Sequence, residues 1–241
     1  MPLFRIADFT IAIEPRHEEF TKRCAAYLEK EEREADFSVS VSDAVLADTK
    51  KRLPDQTDAY IEFICIYRAI CHEISLRGGM VFHAAVIEVE GKAYAFTAPS
   101  GTGKSTHISL WRRVFGEKVQ MLNGDKPILR EKDGTFIAYG TPWCGKEGWQ
   151  RNASAPLAAI CFLHRAEENS ISLMPREKAV ESIFSQLLKP NTPAGLTETL
   201  RLTDLLIRNL PIYSMGCNIS EEAAKMAYSV MTKGKKNNEN S

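Results

Sequence analysis

Ala98-Pro99-Ser100-Gly101-Thr102-Gly103-Lys104-Ser105 decides how this chain is read. Before it runs the apolar, strand-like segment Ala93-Tyr94-Ala95-Phe96-Thr97. After it, Ser105 to Gly116 has helical spacing, with Ile108, Leu110, Trp111 and Phe115 as apolar positions. A strand, a glycine-rich turn and a helix opening on Lys-Ser form the pattern of a phosphate-binding loop. Backbone N–H groups converge on an anion, the helix adds its positive end, the lysine reaches the outer phosphates and the serine hydroxyl faces Mg2+. The expected contacts are Ser100, Gly101, Thr102, Gly103, Lys104, Ser105 and Thr106, and the expected ligands are ATP and Mg2+. Ala98 stands where the usual pattern has glycine, but Gly101 and Gly103 supply the close backbone approach.

Upstream, Met80 to Val89 and Lys92 to Thr97 flank Glu90-Gly91, as in a β-hairpin with a two-residue turn. If Val89 faces Lys92, His83 falls opposite Ala98, about 4.8 Å from the loop. Read alone, His83 is sooner a hydrogen-bonded histidine in a half-buried strand; that register, which places an imidazole beside the outer phosphate, reverses the preference. Downstream, Lys118 to Leu122 reads as the next strand, and Asp125 lies just past its end, where a carboxylate can hold Mg2+ together with Ser105. Lys126 either contacts phosphate or pairs with Asp125.

His83-Ala84, the hairpin, the loop and Asn123-Gly124-Asp125 together resemble the catalytic core of HPr kinase/phosphorylase, which shares its nucleotide-binding architecture with ATP-dependent phosphoenolpyruvate carboxykinase. The resemblance spans about Val81 to Arg130. It implies roles for His83, Lys104, Ser105 and Asp125 in phosphoryl transfer. The family carries an acidic pair where this chain has Gly124 and Asp125, and its downstream glycine-rich signature and basic carboxy-terminal segment have no counterpart here. The family's protein substrate is therefore not carried over.

Tyr139 to Asn152 combines Gly140, Gly145 and Gly148 with Trp143, Trp149, Lys146 and Arg151. It reads as a site loop in which Lys146 or Arg151 meets the spreading negative charge of phosphoryl transfer and a tryptophan stacks on base or acceptor. The other reading is a loop pinned to the core by its tryptophans, with solvated cations. The catalytic candidates are thus His83, Lys104, Asp125, Lys146 and Arg151, and the metal candidates Ser105 and Asp125.

The 241 residues carry 31 basic and 31 acidic side chains and 44% hydrophobic residues, an ordinary globular composition whose balance disfavours nucleic acid. No apolar run is long enough to span a bilayer, and the six cysteines form no CxxC pair; the expectation is a cytoplasmic protein with reduced thiols. The expected fold is mixed α/β with a central sheet in the HPr kinase/phosphoenolpyruvate carboxykinase manner. Its divisions are an N-terminal α+β lobe over 1–77, a kinase-like core with C-terminal helices over 78–232, and a polar frayed tail over 233–241. Among the C-terminal helices Val180, Ile183, Phe184, Leu187 and Leu188 recur at helical period and are expected to pack. The function expected is Mg-dependent transfer of a γ-phosphate to a hydroxyl on a peptide, protein or small molecule, with a homo-oligomer left open. A catalytically reduced nucleotide-binding regulatory module is the alternative, favoured by Gly124. Carboxykinase chemistry rests on shared architecture alone.

Overall fold

The computed structural model describes residues 1–99 and 101–233. The hairpin forms in the expected register: β5 (Ala85–Val89) pairs with β6 (Lys92–Thr97), with Val89 opposite Lys92 and Ala85 opposite Phe96. Its turn residues Glu90 and Gly91 both have positive φ, 52° and 74°, the type I′ geometry whose twist matches that of the flanking strands. The strand expected over Met80 to Val89 is instead two. β4 (Gly79–Val81) pairs with β8 (Ile128–Lys132), and the chain breaks at residues 82–84 before β5 begins. Other partners hold the break: Phe82 donates to the Pro127 carbonyl, His83 to that of Gln186, and Ala84 to that of Asp125. His83 consequently lies in a kink fastened to two other segments.

β8 and β9 (Thr135–Tyr139) form a second hairpin, and β9 leads through the tryptophan loop to the long β10 (Ser154–Arg165). β10 joins the sheet's halves, pairing antiparallel with β9 at its start and then parallel with both β6 and β12 (Ile212–Cys217). β7 (Val119–Asn123) lies beyond β5, and β11 (Ser170–Leu173) beyond β12, completing nine strands among the described residues.

Side chains alternate across this sheet as the two-residue period demands. Val86, Ala93, Ala95 and Ile160 face a core shared with Ala179 and Ile183 of α5 (Arg176–Gln186) and with Leu202 and Leu206 of α6 (Pro193–Asn209). Ile87, Tyr94, Phe96 and Cys161 face the other way, onto Ile108 and Trp111 of α4 (Lys104–Phe115) and onto Ala223, Ala224 and Ala227 of α7 (Glu221–Lys233). The fold is mixed α/β, a sheet between two helical layers. In α5, Ala179 rather than Val180 reaches the core. Val180 is exposed, and Leu187 and Leu188 follow the helix's end. α7 continues through Lys233; the rest of the expected tail, 234–241, lies outside the described residues.

The N-terminal lobe is a three-stranded sheet of β1 (Leu3–Ile6), β2 (Phe9–Ile13) and β3 (Phe37–Val39), with α1 (Glu18–Arg23), α2 (Asp43–Arg52) and α3 (Asp58–Ser75). α2 carries no strong apolar stripe but has a Ser42 cap on the Val45 N–H. α1 is followed by a single 3-10 turn over Ala25–Tyr27. Phe63, Ile66, Tyr67 and Ile70 of α3 share a core with Val81, Ile128 and Trp143, which fastens this lobe against the tryptophan loop.

Two glycines mark where backbones come too close for a side chain. A Cβ on Gly140 would lie 1.9 Å from the Arg151 carbonyl oxygen and 2.7 Å from that of Leu122. A Cβ on Gly124 would lie 2.6 Å from the Cys144 carbonyl oxygen. Gly140→Ala is expected to destabilise the fold by about 2 kcal/mol or more, since rigid backbone must move. Gly91→Ala, whose Cβ meets open space, should cost only the left-handed penalty of about 1 kcal/mol. Urea unfolding of the two variants checks the order.

Candidate functional site

β6 delivers the chain into the glycine-rich turn, and α4 departs from it. Gly101 and Gly103 take φ of 78° and 117°, a backbone that L side chains rarely adopt. Gly103 stands at the N-cap of α4, so Lys104, Ser105 and Thr106 occupy the first turn, where N–H groups have no partner within the helix. Arg165, at the end of β10, braces the turn by donating to the carbonyls of Gly101 (2.6 Å) and Thr102 (3.3 Å). Ser100, an expected contact of the turn, lies outside the described residues.

His83, Lys104 and Asp125 converge. His83 Nε2 lies 3.0 Å from Lys104 Nζ and 3.0 Å from Asp125 Oδ1. One ring nitrogen cannot serve both at once: with a lone pair it accepts from the ammonium, and with a proton it donates to the carboxylate. His83 Nδ1 faces Gln186 Oε1 at 3.2 Å. With Nδ1 donating there, the neutral ring keeps its Nε2 lone pair toward Lys104, and the doubly protonated ring donates from Nε2 to Asp125. The Thr97 hydroxyl donates to the His83 carbonyl at 2.8 Å, tying the kink to the end of β6 as the hairpin register requires.

Asp125 is positioned by a wholly buried neighbour. Asn123 Oδ1 accepts from the N–H groups of Asp125 (2.9 Å) and Lys126 (2.7 Å), while its Nδ2 donates to the Thr141 carbonyl and hydroxyl. Burial opposes charge on Asp125, but the hydrogen bond from His83 and the nearby Lys126 ammonium outweigh it and hold the carboxyl down at about 2. Lys126 Nζ lies 3.0 Å from Asp125 Oδ2, so of its two expected roles this structure displays the pairing one. Burial lowers the Lys104 pKa; Asp125 and Glu147 pull in the other direction.

The tryptophan loop divides its expected residues. Lys146 lines the same cleft as His83 and Asp125. Arg151 does not: its guanidinium bonds Glu88 of β5 and Gln120 of β7, a structural clamp outside that cleft. Trp143 is buried against Phe63 and Tyr67, with ring centroids 5.9 and 4.8 Å away. Trp149 lies beneath the Arg112 guanidinium.

Sequence reading passed over Glu147 and Gln186. The Ser105 hydroxyl donates to Glu147 Oε1 at 2.7 Å, so the loop brings a carboxylate to the serine at which Asp125 was expected. Gln186 gave no signal, because it reaches His83 only through the packing of α5. All six cysteines are unbridged, and burial raises the Cys144 thiol. Among the described residues no group of three or more His, Cys, Asp or Glu side chains is placed to hold a metal, and no helix is long and apolar enough to cross a membrane.

This is a mixed α/β protein with a His-Lys-Asp cluster at the mouth of a glycine-rich turn. The family model described as SynChlorMet cassette protein ScmC matches residues 46–189, more than half of the sequence, and the chain belongs to that family. No curated protein matches it. Among solved structures it is similar to the Hpr(Ser) kinase/phosphatase from Coxiella burnetii, with 10% identity over 64% of this chain and 90% of that chain and a TM-score of 0.39.

The Asp125 carboxyl has a consequence for stability. An acid with a lower pKa in the folded than in the unfolded protein adds stability above its unfolded value, 3.8, and loses it as pH falls toward the folded value of about 2. Asp125→Asn should therefore cost on the order of 2 kcal/mol at neutral pH. The gap to the unmodified chain should narrow below about pH 4 in urea titrations. A gap of constant size down to about pH 3 would contradict the ion-pair geometry.

Proposed function

We propose that this chain is a magnesium-dependent phosphotransferase that moves the γ-phosphoryl group of a nucleoside triphosphate, ATP in the first instance, to an acceptor hydroxyl. The observation that carries this reading is the meeting of His83, Lys104 and Asp125 at the open end of α4. The triphosphate lies along the 98–105 turn, on the free N–H groups of the helix start. A cleft of about 330 Å3 lined by Thr102, Gly103, Thr106, Arg165, Asn218 and Ile219 adjoins the turn and takes the nucleoside.

The donors at the turn suit Mg2+, which prefers oxygen ligands, keeps several waters and leans on phosphate. Ser105 and Glu147 supply a hydroxyl and a carboxylate 2.7 Å apart, with Asp125 as the second acid of the site. Mg2+ bound there would neutralise charge on the transferred group. In the proposed step Lys104 leaves His83 for the phosphate oxygens, which frees the Nε2 lone pair. The acceptor oxygen attacks the γ phosphorus, the bond to the β–γ bridging oxygen breaks, and the nucleoside diphosphate departs with that electron pair. The hydroxyl proton passes to His83, because imidazole suits proton transfer near neutrality while Asp125 remains ionised and stabilises the resulting cation.

The test is incubation with γ-labelled ATP, Mg2+ and a mixture of peptide and small-molecule acceptors, followed by identification of the labelled product. Lys104→Ala should abolish detectable transfer. His83→Gln should retain nucleotide binding and lose about 10²–10⁴ of the transfer rate. Glu147→Gln should raise the Mg2+ concentration at half-maximal rate more than it changes the maximal rate. Transfer undiminished in His83→Gln removes its proton role. Nucleotide binding with only slow, acceptor-independent hydrolysis would favour a regulatory module.

A further inference from the structure

The site has a second face. A cleft of about 730 Å3 opens from His83 and Asp125 toward α1 and α3, a volume in the range of small-ligand sites. None of the described residues of the 98–105 turn lines it; it adjoins the turn through His83, which touches Lys104. Four cations line it, Arg23, Arg68, Lys126 and Lys146, and Asp125 is the one carboxylate among its described lining residues. Arg23 is paired with Glu19, and Lys126 with Asp125, whereas Arg68 and Lys146 make no ion pair among the described residues. Tyr60, Phe63, Tyr67 and Trp143 form its aromatic wall.

We propose that this cleft receives the phosphoryl acceptor, and that the acceptor is a hydroxyl compound carrying carboxylates beside an apolar portion; this rests on the phosphotransferase reading above. The reacting hydroxyl must reach His83 and Asp125, which lie at one end of the cleft. Asp125 repels a carboxylate from that end, so the acceptor's negative groups extend toward Arg68 and Lys146. There the two unpaired cations meet them with charge-assisted hydrogen bonds. The aromatic wall covers the apolar portion. During transfer the hydroxyl gains the phosphoryl group and yields its proton to His83. The N-terminal lobe thereby supplies acceptor selectivity, since Arg23, Tyr60, Phe63, Tyr67 and Arg68 all belong to it.

The carboxylates can come from an acidic peptide or from a free hydroxy acid. Calorimetry on the full chain without nucleotide separates these, using serine hexapeptides flanked by Glu, Ala or Lys and, in a parallel arm, malate. Binding of Mg-ATP is measured separately. The Glu-flanked peptide or malate should bind at least about tenfold more tightly than the Ala-flanked peptide, and the Lys-flanked peptide should not bind. Arg68→Glu should erase that preference and leave Mg-ATP binding unchanged. Lys146→Ala, which removes the other unpaired cation of the cleft, should weaken acidic-ligand binding several-fold. Equal binding of acidic and basic peptides, with no uptake of malate, by a chain that binds Mg-ATP overturns the acceptor assignment alone. Acid-selective binding by a chain that takes up no Mg-ATP overturns the phosphotransferase reading, and the acceptor role with it.

Discussion

The site depends on the buried amide of Asn123. Its oxygen holds the two N–H groups that follow the end of β7, and its nitrogen holds Thr141 at the root of the tryptophan loop. With every strong hydrogen-bonding capacity used, a polar group at zero exposure stabilises the fold instead of penalising it. The same bonds orient Asp125 and Lys126 and fix where the loop begins. The loop then returns over Gly124 and places Glu147 at Ser105. One side chain thus governs the spacing between the two acids of the site without itself taking part in the chemistry.

The hairpin and the helix after it were legible because local rules decide them. A two-residue turn sets the register, and a period of two or 3.6 selects the buried face. The placement of His83 near Lys104 followed from counting along that hairpin. The break at 82–84 was not legible, since the residues that interrupt the strand are partners from 125–127 and 186, remote in sequence. Tertiary hydrogen bonds overrode a run of apolar residues that reads as one continuous strand.

Arg151 and Glu147 show where composition misleads. Both lie in a loop rich in glycine and tryptophan, and a cation there invites a role beside phosphate. Arg151 has its own N–H on the Leu122 carbonyl and its guanidinium on Glu88 and Gln120, so sheet geometry holds it as a clamp. Glu147 meets Ser105 on the surface, in a loop with positive-φ glycines on either side of it, Gly145 and Gly148. Gly124 reads from sequence as a lost acid. In the structure it is the clearance that lets this loop lie down.

β10 has a consequence for how the chain is made. It lies between β9 and β6, and β6 has no neighbour on that side until Leu157 to Phe162 have left the ribosome. During synthesis the strand leading into the glycine-rich turn therefore waits as an open edge, apolar on both faces, while the N-terminal lobe can already be collapsing. Such edges recruit foreign strands, and closing a sheet from distant segments is slow. A nascent chain halted before Ser154 would hold an unfinished template, and its survival in the cell would rest on how quickly the missing strand slides in or on what shields the gap until it does.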